Sequence, residues 1–375
     1  MSDSVKKPSA LNCRRFLVYI AASADAAGGG IYVCHFNAES GELTAPKLAI
    51  EAVKIHFIAL HPNGRFLYAV SGCDSSKSEK SGCVCAFSIE TGTGHLTFLN
   101  RVSSGGDVPC HITIDQNGRC VFVANYGTGT VSAFPIQADG HIANAAVIIQ
   151  HTGSSVDTAR QNRPHPHSIT LDADNRFALV ADLGLDQLLI YRVNPSSGTL
   201  TPNCPPCVSL RPGSGPRHIA FHPDGRYVYA INELANTVTA FDYDSAGAVL
   251  CEIQTITTIP KDYKGETYTS EIEVHPSGKY LYGSNRGHNS IAVFEIDKNK
   301  GTLTMVDIQP CGGKWPRHFG IDPTGKWMLI GNEQSDLLSL FGIDSKSGKL
   351  TQTGISISVP SPVCIRFMPI CGMGI

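Results

Sequence analysis

Residues 217–233 read Arg217-His218-Ile219-Ala220-Phe221-His222-Pro223-Asp224-Gly225-Arg226-Tyr227-Val228-Tyr229-Ala230-Ile231-Asn232-Glu233. Ile219 and Phe221 alternate with Ala220 and His222, which is the period of a strand, and Pro223-Asp224-Gly225 supplies tight-turn chemistry. Tyr227 to Ile231 resume as an apolar, aromatic run suited to a buried strand. A hairpin folded about Gly225 sets Arg217 opposite Glu233. A guanidinium and a carboxylate then meet at its open end.

The stretch recurs. Copies aligned on the turn begin at His56, Cys110, His167, Ser270 and Arg317, for example SEIEVHPSGKYLYGSN and RHFGIDPTGKWMLIGN from the last two. With Arg217 in place the spacings are 54, 57, 50, 53 and 47 residues. A third strand follows each copy, such as SIAVFEI from Ser290 or LLSLFGI from Leu337, usually with a turn ending in Leu-Thr. Repeats of roughly 50 residues built from short strands signify the blades of a β-propeller.

The termini supply the missing piece of the count. Residues 15–22 read as a second-type strand and residues 30–36 as a third-type strand, with no first-type strand before them. Cys364-Ile365-Arg366-Phe367-Met368 falls 47 residues after Arg317, where a first-type strand is due, and only a short tail follows. Pairing of this last strand with the N-terminal repeat closes a ring and removes exposed sheet edges. The fold expected is therefore all-β, a single seven-bladed β-propeller over residues 15–369. A disordered tail is expected over residues 1–14 and a short tail over residues 370–375.

Composition agrees with this architecture and narrows the function. Charged residues are 17% of the 375, and the net charge of −2 gives no support for nucleic-acid or membrane partners. Residues 1–12 are polar and resemble neither a signal peptide nor a membrane span. The thirteen cysteines fall mostly within strand patterns, which suggests reduced, buried thiols in a cytoplasmic protein. Cys204-Pro205-Pro206-Cys207 has redox-motif spacing, but no second pair completes a zinc site and no βαβ context surrounds it. It reads as a loop. His222 and His275 recur before the turn and read as turn residues.

The repeat makes distant residues equivalent. The first position of each copy is His56, Cys110, His167, Arg217, Ser270, Arg317 and Cys364, and the position sixteen later is Gly72, Tyr126, Leu183, Glu233, Arg286 and Glu333. Both positions lie at the open end of their hairpins, on one face and near the central channel. Three consecutive blades thereby bring together His167, Arg217, Glu233 and Arg286. Two guanidiniums can fork onto a carboxylate or phosphate. A histidine can exchange protons at neutral pH, and a carboxylate can orient a donor or act as a base. Equally, Arg217 and Glu233 could form an ion pair that only pins the hairpin end. His165, in Pro164-His165-Pro166-His167, is either a partner of His167 or part of a stiff loop.

Gly215-Pro216-Arg217-His218, Asn232-Glu233-Leu234, Asn285-Arg286 and His167-Ser168, in this order, carry a resemblance. The chain resembles, over nearly all of residues 16–368, the lactonase family of seven-bladed propellers. That family includes bacterial 6-phosphogluconolactonases and fungal carboxy-cis,cis-muconate cyclizing enzymes. The resemblance implies an active site of His167, Arg217, Glu233 and Arg286, the set that the repeat also selects. It implies lactone chemistry on a small anionic lactone or carboxylate, with no metal and no cofactor. His165 and Arg317 are expected at its border as substrate-binding residues.

In the hydrolytic reading the arginines hold the substrate anion and stabilise charge on the acyl oxygen, and His167 or Glu233 activates water. In the cyclizing reading the same arginines hold carboxylates while a proton reaches a double bond. Hydrolysis of a 6-phosphogluconolactone-type substrate is the expectation. A non-catalytic interaction platform is the alternative of another class. A metal-dependent lactonase fits poorly, because the two glutamates at these positions sit in non-adjacent blades among arginines that repel a cation.

Overall fold

The computed structural model describes residues 13–24, 28–72, 82–194 and 196–370. Of the tails expected over residues 1–14 and 370–375, residues 1–12 and 371–375 lie outside the described residues. The strands form seven antiparallel sheets, six of them with four strands in chain order. The first blade takes its innermost strand, Pro362–Pro369, from the far end of the chain. That strand pairs with Arg15–Ala22, setting Ile365 opposite Ile20, so the ring closes as the repeat count requires. No helix among the described residues is long and apolar enough to cross a membrane.

The fifth blade shows why this sequence makes this fold. Its strands are Pro216–Phe221, Tyr227–Asn232, Thr237–Asp244 and Val249–Thr257. Tyr227–Asn232 is buried throughout. Its period-two alternation sends Val228 and Ala230 against the fourth blade, with Leu179 and Ala181, and Tyr227, Tyr229 and Ile231 against the sixth, with Ile272 and Leu281. A strand buried on both faces needs an unbroken apolar run, and the core is accordingly spread between blades. Burying Tyr229 contributes about 1.5–3 kcal/mol on the scale of a large core side chain. Its hydroxyl donates to Gly301 O at 3.0 Å, and Tyr19, Tyr68 and Tyr282 reach Gly94, Gly140 and Gly348 in the same way.

The histidines before the turns do more than turn. His61, His222 and His275 each place Nε2 at 2.7–2.9 Å from a carbonyl in the next blade, those of Gly118, Gly278 and Gly325. Gly278 has φ +73, and a Cβ there would stand 2.7 Å from His222 Nε2. Only glycine therefore admits both the turn and the latch.

Two positional expectations need correction. Arg217 does not lie opposite Glu233. The turn comprises residues 223–226, with His222 N–H donating to Tyr227 O, so its centre falls half a residue before Gly225. Pro216 then pairs with Asn232 and His218 with Ile231, leaving Arg217 as the extra residue of a β-bulge. A bulge re-aims its unpaired side chain. The same shift isolates His56, Cys110, His167 and Arg317. In the last strand, however, it isolates Val363, since Cys364 pairs with Ala21; Cys364 is one residue out of step.

Two cysteine expectations also change. Cys204 and Cys207 lie within the strand Leu200–Ser209, not in a loop, where an outermost strand tolerates Pro205 and Pro206. Both are free thiols. Cys13, buried just ahead of the first strand, is disulfide-bonded, so the thiols are not all reduced.

Candidate active site

Bulged first positions and second-strand ends converge at one mouth of the channel. Glu233 follows Tyr227–Asn232 and has its backbone N–H donated to Gly215 O at 2.7 Å, which fixes the start of its turn. Around its carboxylate stand Arg286 Nη2 at 2.7 Å and Arg217 Nε at 3.1 Å from Oε2, and Arg160 Nη2 at 2.5 Å from Oε1. His167 Nε2 is 3.8 Å from Oε2. The structure thus brings together His167, Arg217, Glu233 and Arg286 from blades four, five and six. The side chains of all four are less than a tenth exposed.

The electrostatics follow from three cations on one anion. Burial opposes the charge on Glu233, but Arg286 and Arg217, with the hydrogen bond from Arg160, outweigh it and hold the carboxyl far below the usual carboxylate range. Burial, then Arg286, pushes Arg217 down to about 9, which still leaves it charged at neutral pH. Burial and then Arg217 depress His167 well below the ordinary histidine value. Its imidazole is therefore neutral. Among the described residues, Arg217 Nε, Arg286 Nε and Glu233 Oε2 are buried and make no hydrogen bond of good geometry, although Oε2 is in ion-pair contact with both arginines. The ion pairs are close, yet their geometry leaves donors available.

Arg160 escaped the sequence reading. It lies between the strands Val147–Gln150 and Pro166–Leu171, in the interval of 57 residues that is the longest between copies. That length marked an insertion but did not single out Arg160. Asp157 Oδ1 accepts the Ala159 and Arg160 N–H groups at 2.9 and 3.0 Å, and Gln161 Nε2 ties the loop to Leu183 O at 2.8 Å. The guanidinium sits 5.6 Å above the Tyr268 ring. At 34% exposure it is the most accessible cation of the cluster.

Trp315 was also missed. Its φ of +64 is strained for a bulky residue, and Arg286 lies 5.6 Å from its ring. Lys54, Val108, Gly215 and Ser361 share the left-handed conformation just before their first strands. The conformation belongs to the repeat, while the aromatic ring belongs to this blade.

The border residues divide. His165 stacks on Tyr126 at 4.3 Å and places Nδ1 2.8 Å from Tyr126 O, so its ring is engaged with that residue. Arg317 Nη1 pairs with Glu333 Oε2 at 3.4 Å and is 29% exposed, beside the cluster and not on Glu233. Among the described residues no group of three or more His, Cys, Asp or Glu side chains is placed to hold a metal ion. A cavity of about 590 Å³ lies at the other mouth of the channel, lined by Leu60, His218, Phe221, Glu271, Glu273 and Arg366. Phe57, packed on His111, His218 and His318, fills the channel above it.

The chain as a whole is similar to known proteins. Residues 17–367 match the family described as lactonase, 7-bladed beta-propeller. The 6-phosphogluconolactonase of Bacillus subtilis is 36% identical over 354 residues, covering 94% of this chain and 99% of the relative. A Bacteroides fragilis structure that carries the provisional name 6-phosphogluconolactonase superposes with a TM-score of 0.88 at 33% identity, covering 96% of this chain and all of that one. The periplasmic gluconolactonase of Pseudomonas aeruginosa gives the same TM-score at 28% identity, covering 95% and 99%.

Proposed function

The chain belongs to the seven-bladed β-propeller lactonases, and from that premise we propose that it hydrolyses an anionic sugar lactone of the 6-phosphogluconolactone type at the Glu233 cluster, without a metal. The observation that carries this reading is the charge count. Three guanidiniums surround one buried carboxylate beside a neutral imidazole, so a phosphate or carboxylate completes the cluster and a cation is repelled.

His167 is the base in this mechanism, because a carboxylate held as firmly as Glu233 binds protons too weakly. Its neutral imidazole takes a proton from water, whose oxygen bonds to the acyl carbon. Arg217 or Arg286 stabilises the oxyanion. The ring carbon–oxygen bond then breaks, and the leaving alkoxide receives the proton from His167. An arriving substrate anion raises the basicity of His167, which strengthens it at the moment of use. Glu233 orients the guanidiniums and stabilises the imidazolium.

The cyclizing reaction would use the same residues, but the relatives above are named for lactone hydrolysis. A cytoplasmic site of action suits the ten free thiols among the described residues, and the bond at Cys13 is unusual there. The test is initial rates on 6-phosphogluconolactone, gluconolactone and carboxymuconolactone, with and without chelator. The expected result is preference for the phosphorylated lactone and full activity in chelator. Loss in chelator with recovery on added calcium, magnesium or zinc refutes the metal-free mechanism.

A further inference from the structure

The Arg217 guanidinium has a second edge, directed away from Glu233. Its Nη1 lies 2.9 Å from Ser270 O and 3.1 Å from His218 Nε2. A guanidinium only donates, so His218 Nε2 must accept. The imidazole proton then resides on Nδ1, which faces Glu271 Oε1 at 3.0 Å and Oε2 at 3.1 Å. The carboxylate fixes the tautomer, and the tautomer fixes the acceptor.

We propose that Glu271 and His218 are positioning residues, a relay that holds the plane of Arg217 against the reacting lactone. The surroundings support a fixed arrangement. Arg217, His218 and Glu271 are all buried. The His218 ring is packed by Phe57, His111 and His167 with centroids 5.8, 5.3 and 5.6 Å away. Ser284 Oγ accepts the Glu271 N–H at 2.9 Å, and His318 Nε2 stands 3.1 Å from the same carboxylate. Burial and the nearby Arg217 keep His218 neutral, so Nε2 remains an acceptor at physiological pH. Without the relay, Arg217 would keep its charge but lose one of the contacts that set its angle, and orientation governs a hydrogen bond to a developing oxyanion.

This inference rests on the lactonase reading for its kinetics but not for its geometry, and the test separates the two. Nitrogen-15 spectra of the histidines in the wild-type protein, with His218 assigned through its backbone, report the tautomer directly. A proton on Nδ1 and a bare Nε2 are expected. A proton on Nε2 overturns the relay, whatever the substrate. For the kinetic arm, His218→Met removes the acceptor, and His218→Gln can present an amide oxygen in its place. With 6-phosphogluconolactone, the Met variant should lose about 10- to 100-fold in kcat/KM, the range for a hydrogen bond to a charged group. The Gln variant should recover most of that loss at a similar melting temperature. If Met retains wild-type kcat/KM, or Gln is no better than Met, the pair only ties blades five and six together. A wild-type protein inactive on every lactone would refute the proposed function, while the spectra would still decide the relay.

Discussion

Replacing Glu233 by Gln keeps the shape of the site and removes the negative charge on which its arginines converge. In the native cluster Arg286, Arg217 and Arg160 lie 2.7, 3.1 and 2.5 Å from the carboxylate. In the variant those guanidiniums face one another with Arg217 and Arg286 still buried. Removing one partner of a buried pair costs about 3–5 kcal/mol, a large part of a typical stability of roughly 5–15 kcal/mol. For a chain of this size that is a fall in melting temperature on the order of 5 °C. The same change makes the cluster a better anion site. Phosphate at a hundred times its dissociation constant should return about 2.7 kcal/mol. Thermal melts against phosphate, with chloride at matched ionic strength as control, measure both effects. The variant should melt lower than wild type and gain more from phosphate. If it melts like wild type, or gains no more from phosphate than wild type does, the charge argument fails.

Other outcomes follow from the same geometry. His111, His167, His218 and His318 are buried with pKa values well below the ordinary value, burial being the first cause in each. The unfolded chain binds those protons below about pH 6.5 and the folded one does not, so stability falls as pH drops through that value. Glu273, a quarter exposed on the cavity wall, is pushed up to about 8 by burial and Glu271. It acts in the opposite sense, losing stability as pH rises from about 4.5 towards 8. The four histidines outnumber Glu273, so the melting temperature should fall as pH drops below about 6.5; a flat melting temperature there would contradict the burial of these rings. Arg160→Ala should raise KM for a phosphorylated lactone more than it lowers kcat, with Arg160→Lys intermediate, and unchanged KM would remove Arg160 from the site. Trp315→Gly should cost about 2- to 30-fold in kcat/KM through the lost ring over Arg286, with a near-native melt because relief of the left-handed strain offsets lost ring contacts. Unaltered kinetics would make the ring irrelevant.

How far the sequence foretold this site depends on the kind of residue. The strand–turn–strand pattern around Pro223-Asp224-Gly225 has period two and a turn signal, both local, and the blades, their number and the ring closure followed from its repetition. Arg217, Glu233, Arg286 and His167 were legible because they sit at fixed offsets from that turn. The bulge at Arg217 was not legible: it depends on where the turn hydrogen bond closes, and a half-residue shift moves every partner. Arg160 could not be reached either, since an inserted loop has no offset to count from and its direction is set by Asp157, Gln161 and Leu183. The latch from His222 to Gly278 joins two blades at positions that look like unrelated turns until the sheets are stacked side by side. Cys13 was misjudged because a disulfide is a pairing in space, which strand periodicity does not encode.

The central claim, that a neutral His167 drives lactone hydrolysis within a cluster of buried cations, has one direct measurement. Steady-state hydrolysis of 6-phosphogluconolactone by wild type and by His167→Asn, each paired with a thermal melt, separates proton transfer from architecture. Asn keeps a polar side chain but cannot accept a proton at neutral pH. The account predicts a fall in kcat of about 10²–10⁴-fold with a melting temperature close to that of wild type. Near-normal turnover in a folded His167→Asn protein would contradict it.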